Sequence, residues 1–276
     1  MKKLVTLLLA AGMVFSAANG ASAVEMKVSG SWLTSFTFAD NLFNNNGLVD
    51  DAKGDGSFNA AQRIRINFDM VASESLSGRV QLQVANENVG PQYYTWGTSG
   101  VGGTGKTVTA RLAYLDWMVP TTDVLVRMGR QEVTTPSYTF GSPILDTPVD
   151  GVLVNAPVND MVGVTLGWLR ASATLNKWAV EHQPHSSVDL AYLAVDVAAD
   201  GFKVTPYGMV GFIGSNAADL DMLGSAASSE NVMAYWVGLG GELTMFDPFK
   251  FTADFLYSAN DADGYAKRAG WYAALG

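Results

Sequence analysis

The sequence contains no cysteine and little charge. With no Cys among 276 residues, disulfides and thiolate metal sites are excluded. Charged residues make up 16% of the chain, whereas the average soluble domain carries about a quarter. The formal net charge of −9 opposes binding to phosphate backbones, so no nucleic-acid partner is expected. Beyond the N-terminal segment, no apolar run approaches the ~18 residues that indicate a membrane-spanning helix. The apolar content of 48% must therefore be distributed in short or alternating pieces.

The N-terminal segment has the order of a secretory signal. Lys2 and Lys3 precede an apolar run from Leu4 to Phe15, and small residues then end in Ala21-Ser-Ala23. The run is too short for a membrane-spanning helix. The pattern predicts a cleaved signal peptide over residues 1–23 and an exported domain over residues 24–276.

Apolar and polar residues alternate over unusually long stretches. Ile64, Ile66 and Phe68 share one face of an extended segment, and Arg63, Arg65 and Asn67 share the other. The same period of two runs through the segments that begin at Met26 and at Phe249. Alternation over 10 to 13 residues is long for a soluble strand, which averages about five or six. It suits a tilted membrane-spanning strand of about 9 to 11 residues.

Weaker alternation recurs in eight further segments, which makes eleven candidate strands. They are Met26–Phe38, Arg63–Met70, Gly78–Val84, Val108–Val119, Asp123–Val133, Val149–Pro157, Met161–Leu169, Val188–Ala198, Phe202–Phe212, Val232–Met245 and Phe249–Ser258. Short turns are predicted at Ser73–Ser77, Pro120–Thr122, Val158–Asp160, Asp200–Gly201 and Asp247–Pro248. Long polar loops are predicted at Ala39–Phe58, Ala85–Thr107, Thr134–Thr147, Arg170–Ser187, Gly214–Asn231 and Ala259–Gly270. Short turns on one rim and long loops on the other are typical of an all-β, transmembrane antiparallel β-barrel.

Aromatic residues cluster near the ends of the predicted strands. They are Trp32, Phe36, Phe38, Trp117, Trp168, Tyr235, Trp236, Phe246 and Tyr257. In a membrane barrel such residues form girdles at the two lipid–water interfaces. The alternative is that they fill the core of a β-sandwich, whose strands would be about half as long.

The stretch GVGGTGKT, Gly100–Thr107, matches the phosphate-binding pattern G-x-x-x-x-G-K-[ST]. That pattern binds nucleotide only where a buried strand enters it and a helix leaves it. The preceding residues are polar and broken by Pro91, and Val108–Val119 alternates as a strand does. We therefore expect a glycine-rich loop and no nucleotide.

The segments VEMKVSGSWLTSFTF, AQRIRINFDMVASESLSGRVQLQ, RLAYLDWMVP and VRMGRQ resemble, in this order, the outer-membrane homotrimeric porins of Gram-negative bacteria. The resemblance implies a water-filled barrel of 16 to 18 strands when complete, a homotrimer, and one long loop folded into the lumen. Because the sequence ends in GWYAALG after about eleven strands and part of a twelfth, it is expected to be an N-terminal fragment of such a barrel.

A set of polar residues shares the face opposite the apolar one. It consists of Arg63, Arg65, Arg79, Gln81, Gln83 and Arg127. Acids in and around the third long loop are candidates to face them: Glu132, Asp146 and Asp150. An arginine row opposite carboxylates sets up a transverse field that favours small polar solutes. Pairing that merely solvates the wall is the alternative, and the preference between anions and cations does not follow.

Other patterns carry less chemistry. His182 and His185 fall in a predicted loop, and two imidazoles without further ligands seldom bind metal. No serine lies in a nucleophile motif, so neither an enzyme nor a cofactor is expected. The predicted function is passive diffusion of small hydrophilic solutes and ions across the outer membrane, in contact with its lipid and lipopolysaccharide. The alternative is an exported β-rich binding or adhesion protein without a pore.

Overall fold

The computed structural model describes residues 24–39, 57–85, 94–97, 100–101, 107–175, 182–215, 231–262 and 267–276. These residues form thirteen β-strands. The strands are β1 (Glu25–Ala39), β2 (Ser57–Ser73), β3 (Leu76–Ala85), β4 (Tyr94–Thr95), β5 (Thr107–Met118), β6 (Leu125–Thr134), β7 (Asp146–Pro157), β8 (Val162–Leu175), β9 (His182–Ala199), β10 (Phe202–Ile213), β11 (Val232–Phe246), β12 (Phe249–Asn260) and β13 (Ala269–Leu275).

All strands belong to one antiparallel sheet in which sequence neighbours pair. The two-residue β4 is the exception, since it pairs with β2 beyond the end of β3. The all-β fold of up-and-down barrel type is thereby confirmed, and the eleven predicted strands and part of a twelfth correspond to β1–β3 and β5–β13. The described residues contain no helix long and apolar enough to cross a membrane.

The five predicted short turns are confirmed, because strands end and restart within a few residues at each of them. The predicted loop Arg170–Ser187 is wrong in its extent. β8 continues to Leu175 and β9 begins at His182, so His182 and His185 lie in a strand. Two register shifts past Arg170 let the backbones of β8 and β9 keep pairing as far as Leu175 and His182.

Several predictions fall on residues outside the described ranges. They are the signal peptide, 1–23, residues 102–106 of the glycine-rich stretch, most of the predicted loops Ala39–Phe58, Ala85–Thr107 and Gly214–Asn231, and residues 263–266 of the predicted loop Ala259–Gly270. The segment that follows the stretch is described, and it is the strand β5 from Thr107.

The sheet has two chemically different faces. The outer face carries the apolar half of each alternating pattern, for example Ile66 opposite Leu82 and Val237 opposite Tyr257. Large side chains on it are between 39% and 74% exposed: Val28, Trp32, Phe36, Leu115, Leu166, Trp168, Leu193, Phe212, Tyr235, Val237, Leu239, Phe251, Phe255, Tyr257 and Trp271. A water-soluble protein buries such residues, so this face is built for an apolar environment.

The expectation for Trp236 needs correction. It lies opposite Met209, which is 3% exposed, on the inner face, and it packs against the buried cluster there. Tyr235, its neighbour, takes the outer position expected of a girdle residue. The sequence places both Tyr235 and Trp236 near the end of a strand. Only the register of β10 with β11 shows which face of the sheet each of them occupies.

Candidate functional site

Polar side chains line the inner face of β2, β3, β5 and β6. This surface, the polar wall, consists of Arg63, Arg65, Asn67, Asp69, Arg79, Gln81, Gln83, Arg111, Asp116 and Arg127. Cross-strand register brings them together, because Asp69 lies opposite Arg79, Asn67 opposite Gln81, and Arg65 opposite Gln83. Side chains at paired positions share a face of the sheet, so the wall is continuous across the strands.

Two ion pairs occupy the end of the wall near the short turns. The Arg79 guanidinium donates to both carboxylate oxygens of Asp69, at 2.5 and 3.2 Å. Arg127 donates to both oxygens of Asp116, at 2.6 and 2.7 Å, and its Cζ lies 4.2 Å from the Tyr114 ring centroid. Two-point pairing and ring stacking hold these guanidiniums in fixed positions.

The middle of the wall is a hydrogen-bonded chain. Gln81 donates to Asn67 at 2.6 Å and accepts from Arg111 at 3.0 Å, and Arg111 donates to Glu132 at 2.5 Å. Further toward the long loops, Arg65 donates to Gln83 at 2.7 Å. Fixed donors and acceptors of this kind present an ordered polar surface to water or a solute.

Six of the nine predicted site residues lie together on this wall: Arg63, Arg65, Arg79, Gln81, Gln83 and Arg127. Glu132 accepts from Arg111 but is not a wall residue: its neighbours Gln131 and Val133 are 0% and 4% exposed on the inner side, so the register of β6 with β7 puts Glu132 on the outer side.

Asp146 and Asp150 do not face the wall. Both lie on the outer face at the loop end of β7, where Asp146 accepts from Thr134 and Asp150 pairs with Arg130. The strand β7 places Val149 inward, 4% exposed, so the adjoining Asp150 must point outward. The transverse field expected from these two acids is therefore not formed, and the acids of the wall are Asp69 and Asp116 on its own strands.

Arg111 is a wall residue that alternation does not place. It is the extra residue of a β-bulge, since Gln81 pairs with Leu112 while the next residue, Leu82, pairs with Ala110. Its side chain is 8% exposed. The bulge shifts the phase of β5, which is why a strict period of two leaves Arg111 ambiguous.

The segment between β6 and β7, residues 135–145, is the inward loop. The Thr135 amide donates to the Leu145 carbonyl at 2.9 Å and closes the base of the loop. Ile144 and Leu145 pack against a buried apolar cluster on the inner face of β7–β12, here called the covered half. Its members include Val149, Leu169, Leu190, Tyr192, Tyr207, Met209, Val232 and Leu256.

Asp254 of β12 fixes the middle of the inward loop. Its carboxylate is 7% exposed and accepts from Ser137 Oγ at 2.7 Å. It also accepts from the Tyr138 amide at 2.9 Å, the Thr139 amide at 2.9 Å and Thr139 Oγ1 at 2.5 Å. Four donors from three consecutive residues converge on one buried carboxylate, an arrangement that compensates its desolvation.

Tyr138 adds a second anchor. Its hydroxyl lies 2.8 Å from Thr205 Oγ1, which donates to Asp196 at 2.8 Å, and Lys203 Nζ lies 5.6 Å from its ring centroid. The ring rests where Gly240 has no side chain: a Cβ there would lie 2.7 Å from the ring. The loop is thereby seated across β10–β12.

The outer face carries a shallow groove of about 630 Å³. Apolar side chains surround it, among them Leu166, Trp168, Leu193, Val210 and Tyr235, and its floor includes Ala191 and Gly208. One register step toward the long loops, Arg130 pairs with Asp150 and Arg170 with Asp189. An apolar groove below a charged row matches the acyl and headgroup layers of a lipid monolayer.

No protein-family model matches the sequence, and no curated protein matches it. Solved structures with a similar chain include OccD3 (OpdP) of Pseudomonas aeruginosa, with a TM-score of 0.49 and 12% identity over 93% of this chain. This chain spans 55% of the length of OccD3. Outer-membrane expressed OmpT of Vibrio cholerae has a TM-score of 0.44 and 13% identity, over 93% of this chain and 82% of that one.

A mutant porin of Rh. blastica gives a TM-score of 0.37 and 10% identity, over 91% of this chain and 98% of that one. All three scores lie below 0.5, so the function of this chain must be inferred from its own residues. Among the described residues, no group of three His, Cys, Asp or Glu side chains is placed to hold a metal ion.

Proposed function

We propose that this protein is an outer-membrane channel of porin type through which small hydrophilic solutes and ions diffuse passively. The observation that carries the proposal is the distribution of side chains between the two faces of the sheet, which is the reverse of that in a water-soluble protein. Its outer face exposes large apolar side chains, whereas its inner face carries the buried and polar ones. Hydrocarbon surrounds such a face favourably, and a closed or fully paired sheet leaves no backbone group unsatisfied in lipid.

The polar wall supplies the surface that a hydrated solute would follow. Its five arginines outnumber its two carboxylates, Asp69 and Asp116, so the wall attracts water and polar groups and carries a net positive charge. The inward loop covers the apolar part of the inner face and leaves the polar part for solutes. Diffusion along such a wall requires neither turnover nor a cofactor.

The remaining parts of the proposal follow from sequence and location. Residues 1–23 would direct export, and residues 24–276 would belong to a barrel that assembles as a homotrimer. The outer face would contact outer-membrane lipid and lipopolysaccharide, with Trp168 and Tyr235 at one lipid–water interface. No enzymatic activity is proposed.

The test begins with the native protein extracted from outer membranes in detergent. Its intact mass defines the natural chain, and insertion into planar bilayers measures conductance. We expect stepwise, ohmic conductance that scales with bulk salt, as a water-filled pore gives. Recovery in the periplasmic wash without detergent, with no conductance, would instead support the exported binding or adhesion protein.

A further inference from the structure

We propose that Asp254 sets the width of the channel by holding the inward loop against the covered half. This inference rests on the proposed channel function and assigns the residue on which its size limit depends. Asp254 lies in β12, and the loop residues that it binds lie 115 to 117 positions earlier in the chain. The contact therefore spans the inner face from the β6–β7 connection to the far side of the sheet.

The contact is polar and directional. All four donors from Ser137, Tyr138 and Thr139 point at the two carboxylate oxygens, and both oxygens are used. A carboxylate accepts at every lone pair, whereas an asparagine amide of the same shape would turn one N–H group toward other N–H groups. The site therefore distinguishes Asp from Asn by chemistry alone.

The apolar contacts of the loop lie elsewhere. Ile144 and Leu145, near the base, pack on the buried cluster, whereas Phe140 near the tip is 82% exposed. Between base and tip, the described anchors are Asp254 and the Tyr138 hydroxyl. Removing the Asp254 anchor frees the middle of the loop while leaving its base in place.

Gly240 provides an independent way to disturb the same contact. A Cβ at this position would lie 2.7 Å from the Tyr138 ring and 2.9 Å from Asp254 Oδ1. Gly240→Ala therefore forces the ring or the carboxylate to move without removing a charge. Gly208→Ala is the matched control, because its Cβ would meet nothing closer than 3.8 Å on the outer face.

The experiment compares the intact protein with its Asp254→Asn, Asp254→Ala, Gly240→Ala and Gly208→Ala variants in planar bilayers and in liposome swelling. We expect both Asp254 variants to raise single-channel conductance by about twofold and to admit larger sugars, because a released loop widens the pore. Gly240→Ala should change conductance in the same direction by a smaller factor. Gly208→Ala should match the native protein.

The outcomes separate this inference from the channel itself. A native protein that does not conduct would contradict the channel function. A native protein that conducts, together with folded Asp254 variants of unchanged conductance and size limit, would overturn the role of Asp254 alone. Heat-modifiable migration on gels reports folding. If the Asp254 and Gly240 variants all fail to fold, Asp254 acts in assembly of the sheet and the assignment of channel width to it is wrong.

Discussion

The inner face has two halves, which differ in the polarity of their inward side chains. On the polar wall, β2 and β3 alternate between apolar outward and polar inward positions, and β5 and β6 add Arg111, Asp116 and Arg127 to the same inner side. On the covered half, residues such as Leu169 and Tyr192 are apolar and point inward, although their strands also present apolar side chains outward. The inward loop explains the difference, because its residues Ile144 and Leu145 pack on the covered half. Strands therefore have one apolar and one polar face on the polar wall, whereas strands of the covered half such as β7 and β9 carry apolar residues on both faces.

The largest effect is expected in the covered half. Leu169 is 0% exposed, so Leu169→Ala should lower the free energy of unfolding by about 2 to 5 kcal/mol through lost burial and a residual cavity. The matched change is Leu166→Ala, three residues earlier on the same strand and 52% exposed on the outer face. Denaturant unfolding in lipid vesicles measures both. Equal losses at the two positions would mean that the inner cluster is not a packed core.

A charge on the outer face tests the other side of the sheet. Leu239 lies mid-strand in β11 and is 46% exposed. Leu239→Arg should cost about 2 to 4 kcal/mol in a bilayer, the range for arginine at the midplane of a membrane barrel. Asn67→Arg should cost less, because this half-buried position lies on the polar wall and does not face lipid. Denaturant unfolding in lipid vesicles measures this cost. An unchanged free energy of unfolding for Leu239→Arg would contradict lipid contact at this position.

A smaller effect is expected on ion selectivity. Arg127→Gln removes one positive charge from the polar wall, so the permeability ratio should shift toward cations by less than about twofold in dilute salt. Arg130→Gln removes the same charge from the outer face and should leave the ratio unchanged. Reversal potentials across a salt gradient measure the shift. Identical shifts for both variants would mean that the wall does not line the path of ions.

These two halves also explain what the sequence could predict. The strands β1, β2 and β12 were predicted because their period of two is long and clear, as in Ile64 to Met70. The remaining strands gave weaker patterns, and in β7 and β9 apolar residues occupy both faces. Their existence was still predicted correctly, since the short turns between strands are marked by Pro, Gly and Asp residues.

The site was predictable only within single strands. Alternation placed Arg63, Arg65 and Arg79 correctly on one face, but it cannot detect the bulge that turns Arg111 inward. Asp146 and Asp150 were expected opposite the arginines on the basis of family resemblance, and the register of β6 with β7 directs them outward.

Asp254 escaped prediction for a further reason. No local pattern links it to Ser137 or Thr139, and the contact depends on how far the sheet curves. Contacts of this kind form only after many neighbouring strands have paired, so their residues carry no short-range signal.

The proposed channel can be tested most directly because the chain contains no cysteine, so that an introduced cysteine is its single thiol. Asn67→Cys and Ile66→Cys place single thiols on adjacent positions of β2, one on the polar wall and one on the outer face. A charged, membrane-impermeant thiol reagent is then added during single-channel recording. We expect conductance to fall for Asn67→Cys and to stay constant for Ile66→Cys. A change at Ile66→Cys with none at Asn67→Cys would show that water follows the other face, and the proposed channel would be contradicted.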